Sequence, residues 1–539
     1  VSAPAESGPR ATRLGRPPVA LTAAGLTAVV LTTWVLLGTW GSGQYLFRDF
    51  VAVPDPVVDG LVPTTSAALR AWPLDAVTWA LSGVVPTGVQ QLVLLGGCLV
   101  LAGTGAGLVA GVLAGRYAAS AAVAAAGLAV WNPYVTERLL LGQVPTLLGY
   151  AAMPWVLLVA WSGAPTVRRT VLLVLAAAPA ALTPWGGLVA LVTAVTGALA
   201  RPGRRLQDVV VVGVVGVLWC LPWVVPALLA AGGGADPDGA LAFALADDTG
   251  LGTWGSALLG GGVWAQGARP LSREDPLAVG ASVLVLALAL VGGVLLWRRS
   301  GRAPGTVALA AVLLPASLLA VLSGPLLGLT TAAQAVPGAA LLRDQHRLLA
   351  PAVLATAVLA GTAVGPVARH GGRAAAALAT ALALVVAVTS VPDLPGRTRA
   401  AYVPRHYPAG WGAVVAAVEA RPGPQRVLSL PWQPFRATSW SGGRPFLDPL
   451  PRAVADDVLA STTLTVRRDG HDVVVDDRPL PEDSAWAEGD VTADGLRRQG
   501  VTVVVEWLGT PGALARAHDG WRLLEETADF RAWDVTGAR

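Results

Sequence analysis

No lysine occurs among the 539 residues, so all 38 basic side chains are arginine. A P-loop phosphate lysine, a Schiff-base lysine and a pyridoxal phosphate site are thereby excluded, because each needs the primary amine. Asparagine appears once, at Asn132. Both shortages fit an Ala-, Val-, Gly- and Arg-rich coding bias better than a function. The two cysteines, Cys98 and Cys220, each lie inside an apolar run; they read as packing residues, not as a disulfide or a metal pair. The sequence has no H-E-x-x-H, G-x-S-x-G, C-x-x-C or Walker A pattern, which disfavours zinc chemistry and nucleotide hydrolysis. No nucleotide, haem or pyridoxal phosphate is expected as a cofactor, and no nucleic acid as a partner.

Charge is also scarce. Only 13% of residues are charged and 54% are hydrophobic, with a mean hydropathy of +0.59, whereas soluble domains carry about 25% charged residues. Residues 1–391 hold 21 Arg against 14 Asp and Glu, and residues 392–539 hold 17 Arg against 20. An apolar part of net +7 is thus followed by a polar part of net −3.

A membrane-spanning helix needs about 20 mostly apolar residues, and arginine collects in cytoplasmic connections. Apolar runs place eleven helices, near 18–40, 89–113, 118–132, 146–162, 170–183, 186–200, 207–228, 277–297, 304–322, 348–366 and 374–391, of which 170–183 and 186–200 are short. Arg10, Arg13 and Arg16 precede the first, which reads as an uncleaved span behind a cytoplasmic tail, 1–17. On this threading 14 arginines fall on short inside segments and 7 on the much longer outside loops. The weak point is Thr183-Pro184-Trp185-Gly186-Gly187, which separates either two half-length helices or the halves of one kinked span. A single span would put the later Arg clusters outside, so the charge pattern favours two.

The transmembrane part, 18–391, leaves long outer loops at 41–88, 229–276 and 323–347. Within the first, 74–85 reads either as a helix in the membrane interface or as a connector. A linker at 392–396 leads to 397–539, where strand-length apolar runs at 426–430, 472–475 and 501–507 alternate with helical stretches at 411–419 and 493–499. This is the pattern of a small extracytoplasmic α/β domain, expected to fold by itself. The expected fold class is therefore an α-helical polytopic membrane protein with a C-terminal α/β domain, multi-pass in the plasma membrane among its lipids.

Charges near a bilayer are costly unless they sit in water or in a site, which singles out three clusters. Phe47-Arg48-Asp49-Phe50, followed by Asp55 and Asp59, offers a carboxylate as general base or metal ligand, or else an interfacial ion pair. Trp131-Asn132-Pro133-Tyr134 runs on to Glu137-Arg138 and Gly142-Gln143. Pro133 should break the third helix, and Arg138 offers a phosphate ligand or a simple capping charge. Leu342-Arg343-Asp344-Gln345-His346-Arg347 places two arginines four apart, on a shared helix face, with His346 next to one of them. Guanidinium forks match phosphate oxygens. The acidic stretch Asp236, Asp238, Asp247 and Asp248 lacks calcium-loop spacing and reads as a solvated loop.

These clusters, with uneven helices and a C-terminal outer domain, resemble the GT-C class of membrane glycosyltransferases, within it an actinobacterial group of polytopic proteins. Leu349-Ala350-Pro351, Leu430-Pro431-Trp432 and Gly500-Val501-Thr502-Val503-Val504-Val505 are similar to the same group. The resemblance implies transfer of a hexosyl or pentosyl unit from a polyprenyl-phosphate donor to an envelope glycan or lipid acceptor outside the plasma membrane. It assigns Asp49 to acceptor activation or to a divalent metal, and Arg343, His346, Arg347 and Arg138 to the donor phosphate. Arg48, Asp55, Asp59, Glu137, Gln143 and Asp344 are further pocket candidates. One departure stands out: the paired acidic residues of this loop are here Arg48-Asp49, so a second carboxylate would come from Asp55 or Asp59. A transporter or flippase of a lipid-linked or polar solute, and a non-catalytic envelope scaffold, are the alternatives.

Overall fold

The computed structural model describes residues 17–58, 71–201, 206–229, 235–300, 302–516 and 520–537. All eleven predicted segments are helical, and among the described residues eight helices are long and apolar enough to cross a bilayer. The chain begins with α1 (Pro17–Val35), β1 (Gln44–Tyr45) and a short α2 (Leu74–Ser82). α2 exposes Val77, Trp79 and Leu81, as a helix lying in the interface should. Next come α3 (Thr87–Ala114) and α4 (Ala118–Val130).

Small residues fix how these helices meet. A Cβ on Gly107 of α3 would stand 2.5 Å from the Cβ of Ala24 and 2.6 Å from the carbonyl oxygen of Ala122. Gly103 and Gly111, one turn either way, meet Ala28 and Ala20 in the same manner. The stripe lets α3 touch α1 and α4 backbone to backbone, which is how apolar helices gain contact where lipid removes the hydrophobic driving force.

α4 stops at Val130, and α5 (Pro133–Leu140) starts after two residues. Pro133 sits in the first turn, where its missing N–H costs nothing. The only asparagine serves both helices at this break. Its Oδ1 caps α5 by accepting from the Val135 N–H at 2.9 Å, while its Nδ2 donates to the Leu128 and Ala129 carbonyls at 3.0 Å each. Aspartate could make the first bond but not the other two.

α6 (Thr146–Trp161), α7 (Thr166–Ala181), α8 (Pro184–Ala200) and α9 (Leu206–Leu229) follow. Arg169, early in α7, and Arg201, just past α8, both pair with Asp208 at the start of α9, at 2.5 and 3.3 Å. The far ends of α7 and α8 therefore lie side by side. They form an antiparallel hairpin, so the two-helix reading of 170–200 holds over a kinked span. Its tip is capped by Thr183, whose Oγ1 accepts from the Gly186 N–H.

α10 (Pro276–Ser300), α11 (Arg302–Ser323) and α12 (Ala350–Ser390) complete the bundle. α12 breaks at Gly372, which has φ +69°, and its halves return on each other: Ala352 and Ser390 line one small crevice beside Trp131. Arg10, Arg13, Arg16, Arg204 and Arg205 lie outside the described residues.

Beyond the bundle, α13 (Leu394–Ala401) and β2 (Pro404–Arg405) lead to α14 (Gly410–Glu419), β3 (Arg426–Leu430), β4 (Phe435–Arg436), β5 (Phe446–Leu447) and β6 (Asp457–Leu459). The hairpin β7 (Leu464–Arg468) and β8 (His471–Val475) precedes α15 (Ala493–Gln499), β9 (Val503–Trp507), β10 (Arg522–Glu526) and β11 (Phe530–Asp534). The main sheet has the order β10-β11-β9-β3-β6, with β9, β3 and β6 parallel and β11 antiparallel to both neighbours. Both faces are covered, so its central strands carry apolar side chains on both sides: Val427, Val503, Val505 and Trp507 pack under Trp411 and Val414 of α14, while Leu428, Leu430 and Val504 pack on Trp486 and Leu496.

That core is not closed within 397–539. Leu46, Val51 and Val53 from the first loop are buried in the same cluster as Trp411 and Trp507, and β1 pairs with β2 across the two parts. The predicted strand at 472–475 belongs to the β7-β8 hairpin, not to the sheet; Val466 and Val475 pack against Phe243 of the second loop.

Candidate functional site

Asp49 sits on a tight turn in which the Phe47 and Phe50 backbones bond each other reciprocally, at 3.1 and 2.9 Å. Arg48 takes φ +49° to make it, a conformation non-glycine residues adopt only when held. The turn is held from two sides. The Arg48 N–H donates to the Pro445 carbonyl and the Arg48 carbonyl accepts from the Leu447 N–H, both at 2.8 Å. Tyr402 lies edge-on to the Phe47 and Phe50 rings and donates its hydroxyl to the Leu139 carbonyl. Below, the turn presses on Gly142, where a Cβ would fall 2.5 Å from the Phe47 carbonyl oxygen.

That contact delivers Gln143 to Asp49. Gln143 Nε2 donates to Asp49 Oδ2 at 3.1 Å, and its Oε1 accepts from Arg138 at 2.5 Å and from Arg347 at 3.4 Å. Two guanidiniums on the oxygen side fix the amide's orientation, so its NH2 must face the carboxylate. Arg138 forks onto Asp344 at 2.7 and 2.9 Å, and Arg347 Nε lies 3.0 Å from the same carboxylate. Burial by itself would raise the Asp344 carboxyl, but Arg138 and Arg347 outweigh it and hold it well below the usual range.

The chain of charges continues inward. Arg138 donates to His346 Nδ1 at 3.0 Å; His346 Nε2 lies 2.9 Å from Glu137, and its ring stacks on Tyr134. Glu137 accepts from the Val263 N–H and lies 3.9 Å from Arg273, which grips Asp248 at 2.9 and 3.1 Å. Burial would raise Asp248 too, yet Arg273 holds it at about 2. Glu137, Arg138 and His346 have no exposed surface. Asp248 is therefore a buried partner, not part of a solvated acidic loop; Asp247 beside it is also engaged, accepting from the N–H groups of Thr249, Gly250 and Gly252.

Asp49, Gln143 and Arg347 line a cavity of about 590 Å3. Leu81, Val93, Leu94, Leu182 and Pro184 form apolar walls, and Asp75 and Arg452 lie on the same lining. The structure thus joins seven of the expected residues in one connected group: Asp49, Gln143, Arg138, Asp344, Arg347, His346 and Glu137. Only Asp49, Gln143 and Arg347 reach the cavity.

Arg343 does not join them. The segment is not a continuous helix: Asp344 takes φ −77°, ψ 87° before a 3₁₀ turn, Gln345–Leu349. Residues four apart therefore share no face. Arg343 forks instead onto Asp477 at 2.6 and 2.8 Å, with its guanidinium 4.7 Å above the Phe243 ring. Arg48 is also off the cavity, its guanidinium beside Gly267. Asp55 is exposed and not on the cavity lining, and Asp59 lies outside the described residues. Sequence reasoning missed Asp75, Arg452, Arg273 and Tyr402, and took Asp248 for a solvated residue. Their partners lie 25 to 377 positions away, and no local spacing signals them.

This is the fold of the GT-C-type membrane glycosyltransferases, in a multi-pass membrane protein. The chain superposes on the arabinofuranosyltransferase AftD from Mycobacteria with a TM-score of 0.54 at 18% identity, covering 96% of this chain and 41% of that one. It therefore spans about two-fifths of that neighbour's length. The archaeal oligosaccharyltransferase AglB from Archaeoglobus fulgidus, solved with an inhibitory peptide and a dolichol-phosphate, aligns with a TM-score of 0.44 at 13% identity over 91% of this chain and 69% of that one. No protein-family model and no curated protein matches the chain.

Among the described residues a divalent metal at Asp49 finds no ligand set. Among the described residues no three His, Cys, Asp or Glu side chains converge. The other carboxylate on the cavity, Asp75, is engaged by Arg452 at 3.0 Å.

Proposed function

We propose that the chain is a glycosyltransferase that moves a sugar from a polyprenyl-phosphate donor to an envelope glycan or lipid acceptor, with the cavity and the C-terminal region on the outer face of the plasma membrane. The observation that carries this reading is the juxtaposition of Asp49 and Arg347 on one cavity with apolar walls, linked through Gln143. The walls suit a lipid chain and Arg347 suits a phosphate.

The chemistry follows from the two polar groups. The acceptor oxygen attacks the anomeric carbon, the bond from that carbon to the phosphate oxygen breaks, and its electron pair leaves with the polyprenyl phosphate. Asp49 takes the acceptor's proton. Its Oδ2 is held by Gln143, and Oδ1 has no partner among the described residues. Arg347 stabilises the charge that develops on the leaving phosphate. Arg138 and His346 are buried and spoken for, so they act on Arg347 and Gln143, not on the donor. No step is routed through a metal.

The test is transfer by the purified full chain in liposomes. A radiolabelled polyprenyl-phosphate sugar and an envelope glycan extract are supplied, and release of polyprenyl phosphate is followed. Arg347→Ala should raise the donor KM and Asp49→Asn should cut turnover by about 10²- to 10⁴-fold. Release that is unchanged in both variants would refute the assignment.

A further inference from the structure

The cavity has a second polar position whose function the phosphate chemistry leaves unused. Arg452, from the segment before β6, donates from Nε to Asp75 Oδ2 of α2 at 3.0 Å, and its carbonyl accepts from the Val57 N–H. Both side chains line the cavity that holds Asp49, and both stay partly exposed, Arg452 by 20% and Asp75 by 30%. Among the described residues this is their one ion pair, and it uses one guanidinium nitrogen and one carboxylate oxygen. Donors and an acceptor are left side by side.

We propose that Asp75 and Arg452 form an acceptor subsite that binds a vicinal diol of a neutral glycan, a proposal that rests on the transfer reading of the same cavity. The pair is neutral overall, so it offers little to a second phosphate. A diol presents one donor and one acceptor at each oxygen and can satisfy the free guanidinium N–H groups and the free carboxylate oxygen together. Apolar residues of the same lining, among them Leu74, Val77 and Leu447, suit the C–H face of a sugar ring. Because Arg452 comes from the C-terminal region and Asp75 from the first loop, the subsite exists only when the two parts are docked.

The pair also ties α2 to the C-terminal region, and the experiment separates that role from recognition. The full chain in nanodiscs is titrated with methyl α-mannopyranoside and methyl α-arabinofuranoside, each beside its deoxy analogue lacking one hydroxyl of the vicinal pair, by saturation-transfer NMR. Acceptor KM is measured in parallel. The double variant D75L/R452M keeps a packed contact without charge, an exchange that is often neutral for stability; Arg452→Gln serves as the milder change. The subsite predicts that wild-type protein prefers a parent glycoside to its deoxy form. Both variants should melt like wild type, lose glycoside binding by about tenfold or more, and raise acceptor KM with kcat little changed. Variants that bind glycosides and acceptor as wild type does would reduce the pair to a tie and overturn the proposal. A wild-type protein that binds the glycosides but transfers no sugar would sink the transfer reading alone. One that transfers sugar with no preference for the intact diol would sink the subsite alone.

Discussion

Replacing Asp344 by asparagine removes the charge on which two arginines converge. In the native fold Arg138, without exposed surface, places both terminal nitrogens on Asp344 at 2.7 and 2.9 Å, and Arg347 adds Nε at 3.0 Å. Asparagine keeps the shape but turns one acceptor into a donor that faces a guanidinium. Breaking a buried ion pair on one side costs about 3–5 kcal/mol, because the other charge stays buried. Gln143 and His346 still accept from Arg138, so the lower end, about 3 kcal/mol, is expected. The two buried thiols, Cys98 and Cys220, supply the assay: a thiol-reactive fluorophore reports unfolding as they become exposed on heating. The cost depends on pH with a definite sign. Asp344 has a lowered folded pKa, so its contribution is complete above the unfolded value of about 3.9 and fades as pH falls below it toward the folded value. Wild type should therefore melt several degrees above Asp344→Asn at pH 7, and the gap should narrow below about pH 4. Equal melting at pH 7, or a gap that widens in acid, would refute the reasoning.

Gln143→Ala removes the donor to Asp49 Oδ2 and the amide oxygen shared by Arg138 and Arg347, and should lower turnover in the liposome transfer assay; turnover equal to wild type would show that Gln143 does not position Asp49. Residues 397–539 expressed alone lack Leu46, Val51 and Val53, each worth about 1.5–3 kcal/mol when buried. The fragment should melt less cooperatively than one with 44–57 fused to it, as followed by circular dichroism. Asn132→Asp keeps the cap of α5 but loses two donors to the Leu128 and Ala129 carbonyls, and should destabilise by about 1–3 kcal/mol in the thiol assay.

Much of the bundle was legible because apolar length is a local property. Each of the eleven runs is a helix, and Asn132-Pro133 marks its break through residue types that can do little else there. The hairpin at 166–200 needed the charge pattern, and the shared Asp208 shows why it worked: the arginines at the two far ends meet one carboxylate. The site was legible as three short clusters but not as a network. Arg343 and Arg347 looked equivalent on the assumption of a helix, and the 3₁₀ turn separates them. Asp248 looked solvated because its partner Arg273 follows after a turn-rich stretch and Glu137 belongs to another helix. The C-terminal region looked independent because its strands are locally well patterned. Nothing in 44–53 announces that three of its side chains complete that core.

The central claim is that Asp49 takes the acceptor's proton in a sugar transfer. The direct measurement is complementation of a deletion strain by Asp49→Asn, scored by envelope glycan composition with the amount of protein in the membrane checked alongside. The account predicts wild-type amounts of protein and a glycan profile like that of the deletion strain. A wild-type profile restored in full by Asp49→Asn would contradict it and leave the scaffold reading the better one.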